Sequence, residues 1–171
     1  MKTEQENCTV TVRGIQRVEG DDDVVELVTG GRFSCHGGRW LIRYEESDAT
    51  GYGGCHTSLR YDPQKGQVVL LRTGEVHSQL IVEEGKRHQC TYDTGCGTVI
   101  LGVNGSRIEA ELDEQGGTLE FHYSLDVNTA LVSENDVYVG GRPDRESADI
   151  PFSIKPNLIY SKESFDYDFP L

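Results

Sequence analysis

A chain of 171 residues with a formal net charge of −13 and 26% charged side chains has the size and balance of one globular domain plus an extension, and is short for two domains. The acidic excess argues against nucleic acid and anionic membrane as partners, since both are held through Lys and Arg. No apolar run approaches the roughly 18 residues of a membrane span, and the start "MKTEQENCTVTV" has no signal-peptide core, so the expectation is a cytoplasmic protein whose five cysteines are mostly reduced thiols.

Turn clusters punctuate the chain at short intervals: "EGDDD" at 19–23, "HGG" at 36–38, "SDATG" at 47–51, "DPQKG" at 62–66, "TGE" at 73–75, "EEGK" at 83–86, "DTGCG" at 93–97, "NG" at 104–105 and "DEQGG" at 113–117. Between them apolar residues alternate with polar ones. "RWLIRYEES" places Trp40, Ile42, Tyr44 and Glu46 on one face, and "RHQCTYDT" does the same for His88, Cys90 and Tyr92. "SRIEAELD" sets Ile108, Ala110 and Leu112 against Arg107, Glu109 and Glu111. "TLEFHYSLDV" sets Leu119, Phe121, Tyr123, Leu125 and Val127 against Thr118, Glu120, His122, Ser124 and Asp126. No stretch has a helical period with caps. The spacing predicts an all-β fold of roughly eight to ten strands joined by hairpins, a single antiparallel up-and-down barrel over residues 1–135. A barrel of that size has a lumen either filled by side chains or just wide enough for one small ligand.

From Val132 the alternation fades and four of the five prolines follow, yet Phe152, Ile154, Tyr160, Phe165, Tyr167 and Phe169 remain. Residues 136–171 are read as a C-terminal extension. It is either an extended arm packed on its own barrel or on a second copy's, which would make a homodimer, or a mobile tail.

Two Cys-His pairs, Cys35-His36 and Cys55-His56, each stand beside a Gly-Gly pair. Neighbouring strand residues point to opposite faces, so neither pair reaches one site while its strand stays regular. Parity with Phe33 turns Cys35 inward and His36 out; parity with Thr57 and Leu59 turns Cys55 inward and His56 out. The residues that could contribute to a metal site are Cys35, Cys55, His88 and Cys90, but no C-x-x-C or H-x-x-x-H spacing is present, and neither a metal nor another cofactor is expected. The glycine-rich turns lack the phosphate-loop pattern, and G-x-S-x-G and H-E-x-x-H are absent.

Glu46, at the end of an inward series, needs a partner if it is buried, and Arg72 or Tyr92 can supply one. Tyr44, Glu46, Arg72, His88 and Tyr92 are therefore the candidate ligand-binding residues of a lumen site for a small organic molecule. The alternative is a structural or interaction protein with a packed barrel whose arm mediates oligomerisation. An acid–base enzyme using Glu46, His88 and Tyr92 ranks last.

The succession "YEES" (44–47), "TSL" (57–59), "LLRTG" (70–74), "SQLIVEEGKRH" (78–88), "YDTGCGT" (92–98), "LGVNGSRIEAELDEQGGTLEFHYSLDVN" (101–128) and "ALVSEN" (130–135) resembles the YwiB-like family of small bacterial proteins over residues 7–135. The recurring marks of that family are the "YEE", Arg72, the "EGKRH" turn, Tyr92 with Thr94 and Gly97, and the final "GG" strand; the cysteines are not among them. The resemblance implies a lipocalin-like, calycin-type barrel in a domain of unknown function, and no activity to carry over.

Overall fold

The computed structural model describes residues 6–93 and 95–144. Alternating segments become ten strands: β1 (Cys8–Val18), β2 (Asp21–His36), β3 (Arg39–Glu45), β4 (His56–Asp62), β5 (Gln67–Thr73), β6 (His77–Glu83), β7 (Arg87–Asp93), β8 (Thr98–Asp113), β9 (Gly116–Val127) and β10 (Ala130–Pro143). Each pairs antiparallel with its sequence neighbour, and β1 pairs with both β2 and β10, so the sheet closes into a barrel. The inward face of each strand supplies the core: Val10, Ile42, Leu59, Leu80, Leu101 and Phe121 are all but inaccessible. Burying a side chain of this kind contributes about 1.5–3 kcal/mol. Leu119, Phe121, Tyr123 and Leu125 all point in, as the alternation of "TLEFHYSLDV" predicts.

Strand length divides the barrel. β3 to β7 have seven residues each, whereas β1, β2, β8, β9 and β10 have 11, 16, 16, 12 and 14. The long strands overhang the short ones, which is why Ile108, Ala110 and Leu112 face correctly yet are only half-buried. The connection 46–55 and the turns at 74–76 and 128–129 lie at one end, here the upper end; those at 37–38, 63–66, 84–86 and 114–115 lie at the lower end.

Three expectations are corrected. "NG" at 104–105 is no turn: β8 runs through it, with a bulge between Gly105 and Arg107. β6 and β7 share only two paired positions, His77 with Asp93 and Ser78 with Tyr92, and then diverge. The tip of their hairpin crosses onto the bulge: Gly85 N–H donates to the Gly105 carbonyl at 2.9 Å, and Gly105 N–H to the Lys86 carbonyl at 3.1 Å. A Cβ at 105 would strike the Glu83 backbone, so glycine is required by close approach. Second, β10 continues to Pro143, past the domain boundary placed at 135. The irregularity between Leu131 and Ser133 shifts the register, and the inward residues Ser133 and Asn135 are polar, so the alternation is hidden where the strand begins. Of the proposed arm, 145–171 lies outside the described residues, and so does any homodimer contact made through it. Third, Cys35 shares the face of Phe33 but is exposed, because β2 there runs to its end at the barrel rim.

The 128–129 turn was not signalled by any glycine. Asn128 and Thr129 both hold positive φ, 50° and 69°, and Asp126 Oδ1 accepts the Thr129 N–H at 3.2 Å. The same carboxylate accepts two bonds from Arg87, at 2.9 and 2.6 Å, and one from Asn104 at 2.9 Å, tying β7, β8 and β9 together. A β-branched residue in the left-handed region is strained by about 1 kcal/mol or more, so Thr129→Gly, which creates the Asn-Gly favoured in such hairpins, is expected to raise the urea unfolding free energy by about 1 kcal/mol. Arg87, against the opposing effect of burial, holds the Asp126 carboxyl well below the usual carboxylate range. Its stabilisation is therefore complete above an ordinary aspartate pKa of 3.8 and lost as pH falls through the depressed one. Asp126→Asn is expected to flatten the acid limb of the stability–pH curve below that pH, measured by urea melts in steps of pH.

Candidate functional site

One row of inward side chains crosses five strands near the upper end. The registers set Tyr44 opposite Thr57, Thr57 opposite Arg72, Arg72 opposite Ser78, and Ser78 opposite Tyr92. Directly opposed residues share a face, so all five point into the lumen, and all are buried. Glu46 is the first residue past β3 and keeps the parity of Ile42 and Tyr44, which brings its carboxyl group back over this row.

Glu46 Oε1 accepts from Thr57 Oγ1 at 2.6 Å and from an Arg72 Nη2 hydrogen at 3.3 Å, and Oε2 accepts from Thr50 Oγ1 at 2.8 Å. The Tyr44 hydroxyl lies beside both Glu46 and Thr57. The connection 46–55 is closed at its base by Glu46 N–H donating to the Cys55 carbonyl at 2.8 Å, and it contains a single 3-10 turn, Asp48–Thr50. From it Tyr52 reaches back over the lumen, its ring centroid 3.8 Å from Arg72 Cζ, and its side chain is hydrogen-bonded to Tyr92. Gly74, at φ 135°, seats the β5–β6 turn against this loop: a Cβ there would meet Cys55 Cα at 3.0 Å and Sγ at 3.1 Å. Buried Cys55 is thus a packing contact at the base of the loop, with His56 turned out to solvent as its parity predicts.

The electrostatics follow from burial. Burial opposes the charge on Arg72, but Tyr52, Glu46 and Tyr44 more than offset it, so its pKa lies above that of an ordinary arginine. Burial raises the hydroxyl pKa of Tyr44, Tyr52 and Tyr123 well above the usual tyrosine range. The cluster therefore holds one cation, one carboxylate and neutral phenols. Two guanidinium nitrogens, Nε and Nη1, and the hydroxyl of Ser78 have no hydrogen-bond partner among the described residues. Arg72, but not Ser78, lines a cavity of about 30 Å³, counted as space open to the centre of a water molecule, or about 460 Å³ with the space open to solvent included. The smaller volume is room for about two waters. Tyr44, Glu46, Thr50, Tyr52 and Arg72 form one side of the cavity, and Val12, Val25, Leu27 and Val137 with the bare backbone of Gly14 the other.

Of the five residues singled out by sequence, the structure brings together Tyr44, Glu46, Arg72 and Tyr92. His88 is not with them. It shares the face of Cys90 and Tyr92 but sits at the lower end of β7, where Nε2 lies 2.8 Å from Glu83 Oε2. The acid–base set Glu46, His88 and Tyr92 is therefore not assembled. The metal candidates are also scattered: Cys35 at the lower rim, Cys55 in the upper loop, His88 on Glu83, and Cys90 in the gap between β6 and β7, where its sulfur accepts the Ile81 N–H at 3.4 Å. Among the described residues, no group of three or more His, Cys, Asp or Glu is placed to hold a metal ion. Sequence reading missed Thr50, Tyr52, Thr57, Ser78 and Tyr123. Thr57 and Ser78 follow from parity with Leu59 and Leu80 once the register is known; Tyr52 sits in a loop and has no periodic signal.

Removing one member of a buried ion pair strands the other, at a cost of about 3–5 kcal/mol. Arg72→Met and Glu46→Leu are each expected to show a loss of that size in urea melts. The double variant should lose clearly less than the sum of the two.

Residues 10–139 match the family model described as "Domain of unknown function (DUF1934)". The fold is similar to the crystal structure of the ywiB protein from Bacillus subtilis, with a TM-score of 0.70 and 20% identity over 82% of this chain and 93% of that one. No curated protein matches.

Proposed function

Because this chain belongs to the DUF1934 family, whose description names no activity, we propose from the site itself that the protein is a small-molecule-binding module whose ligand enters the lumen beside Arg72. The observation that carries this reading is the pair of unpartnered guanidinium nitrogens on an arginine that is only 3% exposed, next to a cavity with an apolar far wall. A buried ion pair in a barrel core is often matched or bettered in stability by apolar side chains of the same volume. An Arg, a Glu and four tyrosines gathered at one level of the lumen therefore point to a task beyond stability, and convergent polar groups on an apolar wall are what a ligand pocket provides. The neighbouring lumen is packed, with Phe121 stacked on the Tyr123 of the cluster at 6.1 Å and Trp40 on Phe33 at 5.3 Å, so the ligand is small.

The acidic balance of the chain supports a soluble ligand over nucleic acid or a lipid surface. So does the outer face, where Arg17, Asp136, His122, Glu120 and Arg107 form a continuous ladder of polar contacts across β1, β10, β9 and β8 instead of an apolar band. A cytoplasmic location is part of the same reading.

Gly14 lines the cavity from β1, opposite the polar cluster, and its φ is not in the positive region. Gly14→Val fills the site while leaving Glu46 and Arg72 in place. Native mass spectrometry of the protein purified gently from its own host is expected to show a retained small mass in the wild type and none in Gly14→Val. A bare wild type that binds none of the small-molecule probes described below would overturn the reading.

A further inference from the structure

The same cluster specifies the charge of its ligand, and this step rests on the binding reading above. Arg72 has already met its counter-ion: Glu46 lies 3.3 Å away, both are buried, and both carboxylate oxygens already accept hydrogen bonds, Oε1 from Thr57 and Arg72 itself and Oε2 from Thr50. What remains on offer is hydrogen-bond donation without net charge, from Nε–H and the two Nη1 hydrogens.

A carboxylate or phosphate seated on those donors would leave a buried site carrying a net negative charge inside a protein of formal charge −13. An ammonium would face a guanidinium. A neutral acceptor faces neither cost: a carbonyl oxygen can accept one of these N–H groups without bringing a charge, and an unpaired buried donor is expensive enough that filling it discriminates strongly against a ligand lacking the acceptor. We infer that the lumen of this barrel binds a small uncharged carbonyl compound, its oxygen on the Nε–H of Arg72 and its short apolar body against Val12, Val25, Leu27 and Val137.

The inference is tested with butyramide, butyrate and butan-1-ol as probes of equal chain length, titrated into the full chain at fixed ionic strength and followed by NMR of the uniformly 15N-labelled protein, with the Arg72 Nε–H signal as the reporter. In the wild type butyramide should bind at least tenfold more tightly than butyrate and should move that signal. Butan-1-ol should bind more weakly than butyramide. Glu46→Gln keeps the shape of the side chain and removes the neutralising charge, so in that variant the order should invert, butyrate gaining at least tenfold over its wild-type affinity. If wild-type protein prefers butyrate, the neutral-carbonyl inference is wrong while lumen binding stands. Equal binding of all three probes that survives in Gly14→Val places them on the outside and overturns both readings, as does no binding at all. Should Glu46→Gln fail to fold, the wild-type order and the Arg72 Nε–H shift still decide: a butyramide-bound state that leaves the signal in place overturns the assignment.

Discussion

The Glu46–Arg72 ion pair is the constraint to which the upper half of the molecule answers. A guanidinium and a carboxylate taken out of water each cost several kcal/mol, and their attraction offsets that only where geometry and further hydrogen bonds are good. Every local feature around them supplies part of this. Thr57 and Thr50 donate to the carboxylate, Tyr44 lies beside them, and Tyr52 presents the negative face of its ring to the cation at 3.8 Å. The connection between β3 and β4 is thus no passive link. Its first residue is the anion, its 3-10 turn carries a donor to that anion, and its Tyr52 covers the cation, so the loop and the floor of the site are one ionic unit.

Register makes this unit available. With side chains alternating faces, Tyr44, Thr57, Arg72, Ser78 and Tyr92 converge only because five consecutive strands place them directly opposite one another. A one-residue slip in any strand would send its member to the outer face, where an arginine or tyrosine costs nothing and binds nothing in particular. The long strands permit the short ones to hold this row at one end: β10, β1 and β2 supply the apolar wall opposite it, and the bulge at Gly105 in β8 takes the tip of the β6–β7 hairpin so that the two strands can part below Ser78 and Tyr92.

How much of this the sequence exposes depends on which force sets each feature. The all-β class, the antiparallel meander and the inward face of most strands are set by hydrophobic alternation, which is local and visible: "TLEFHYSLDV" and "RWLIRYEES" read correctly. The pairing of Glu46 with Arg72 was also within reach, since parity turns both inward and a buried carboxylate demands a cation. His88 was misplaced because parity fixes the face of a residue and not its height along the barrel; it shares the face of Tyr92 and lies at the other end. "NG" at 104–105 carries a hairpin signal, but long-range contact with Glu83 and Lys86 is what requires that glycine, and no local window contains it. Conversely, the true turn at Asn128 and Thr129 lacks glycine because Asp126 holds it by hydrogen bonding. Tyr52, the cover of the site, has no period to betray it.

Cavity size and loop contacts together define how a ligand reaches the arginine. The enclosed space holds about two waters, so anything with a carbonyl and a body of several carbons displaces the wall or lifts the loop. Lifting it means separating the Tyr52 ring from Arg72 and breaking the Tyr52–Tyr92 and Thr50–Glu46 hydrogen bonds. A desolvated cation–π contact of about 2 kcal/mol and hydrogen bonds of about 1 kcal/mol each set the cost of opening at a few kcal/mol, which leaves the open form a minor state of roughly 1% or less. Affinity for any ligand that needs the open form is reduced by that fraction. The donors of Arg72 that Glu46 does not use offset this: a neutral acceptor takes the place of water on them without bringing a second charge into the site. The donors that Glu46 leaves over are therefore what gives a bound carbonyl its advantage over an apolar molecule of the same size.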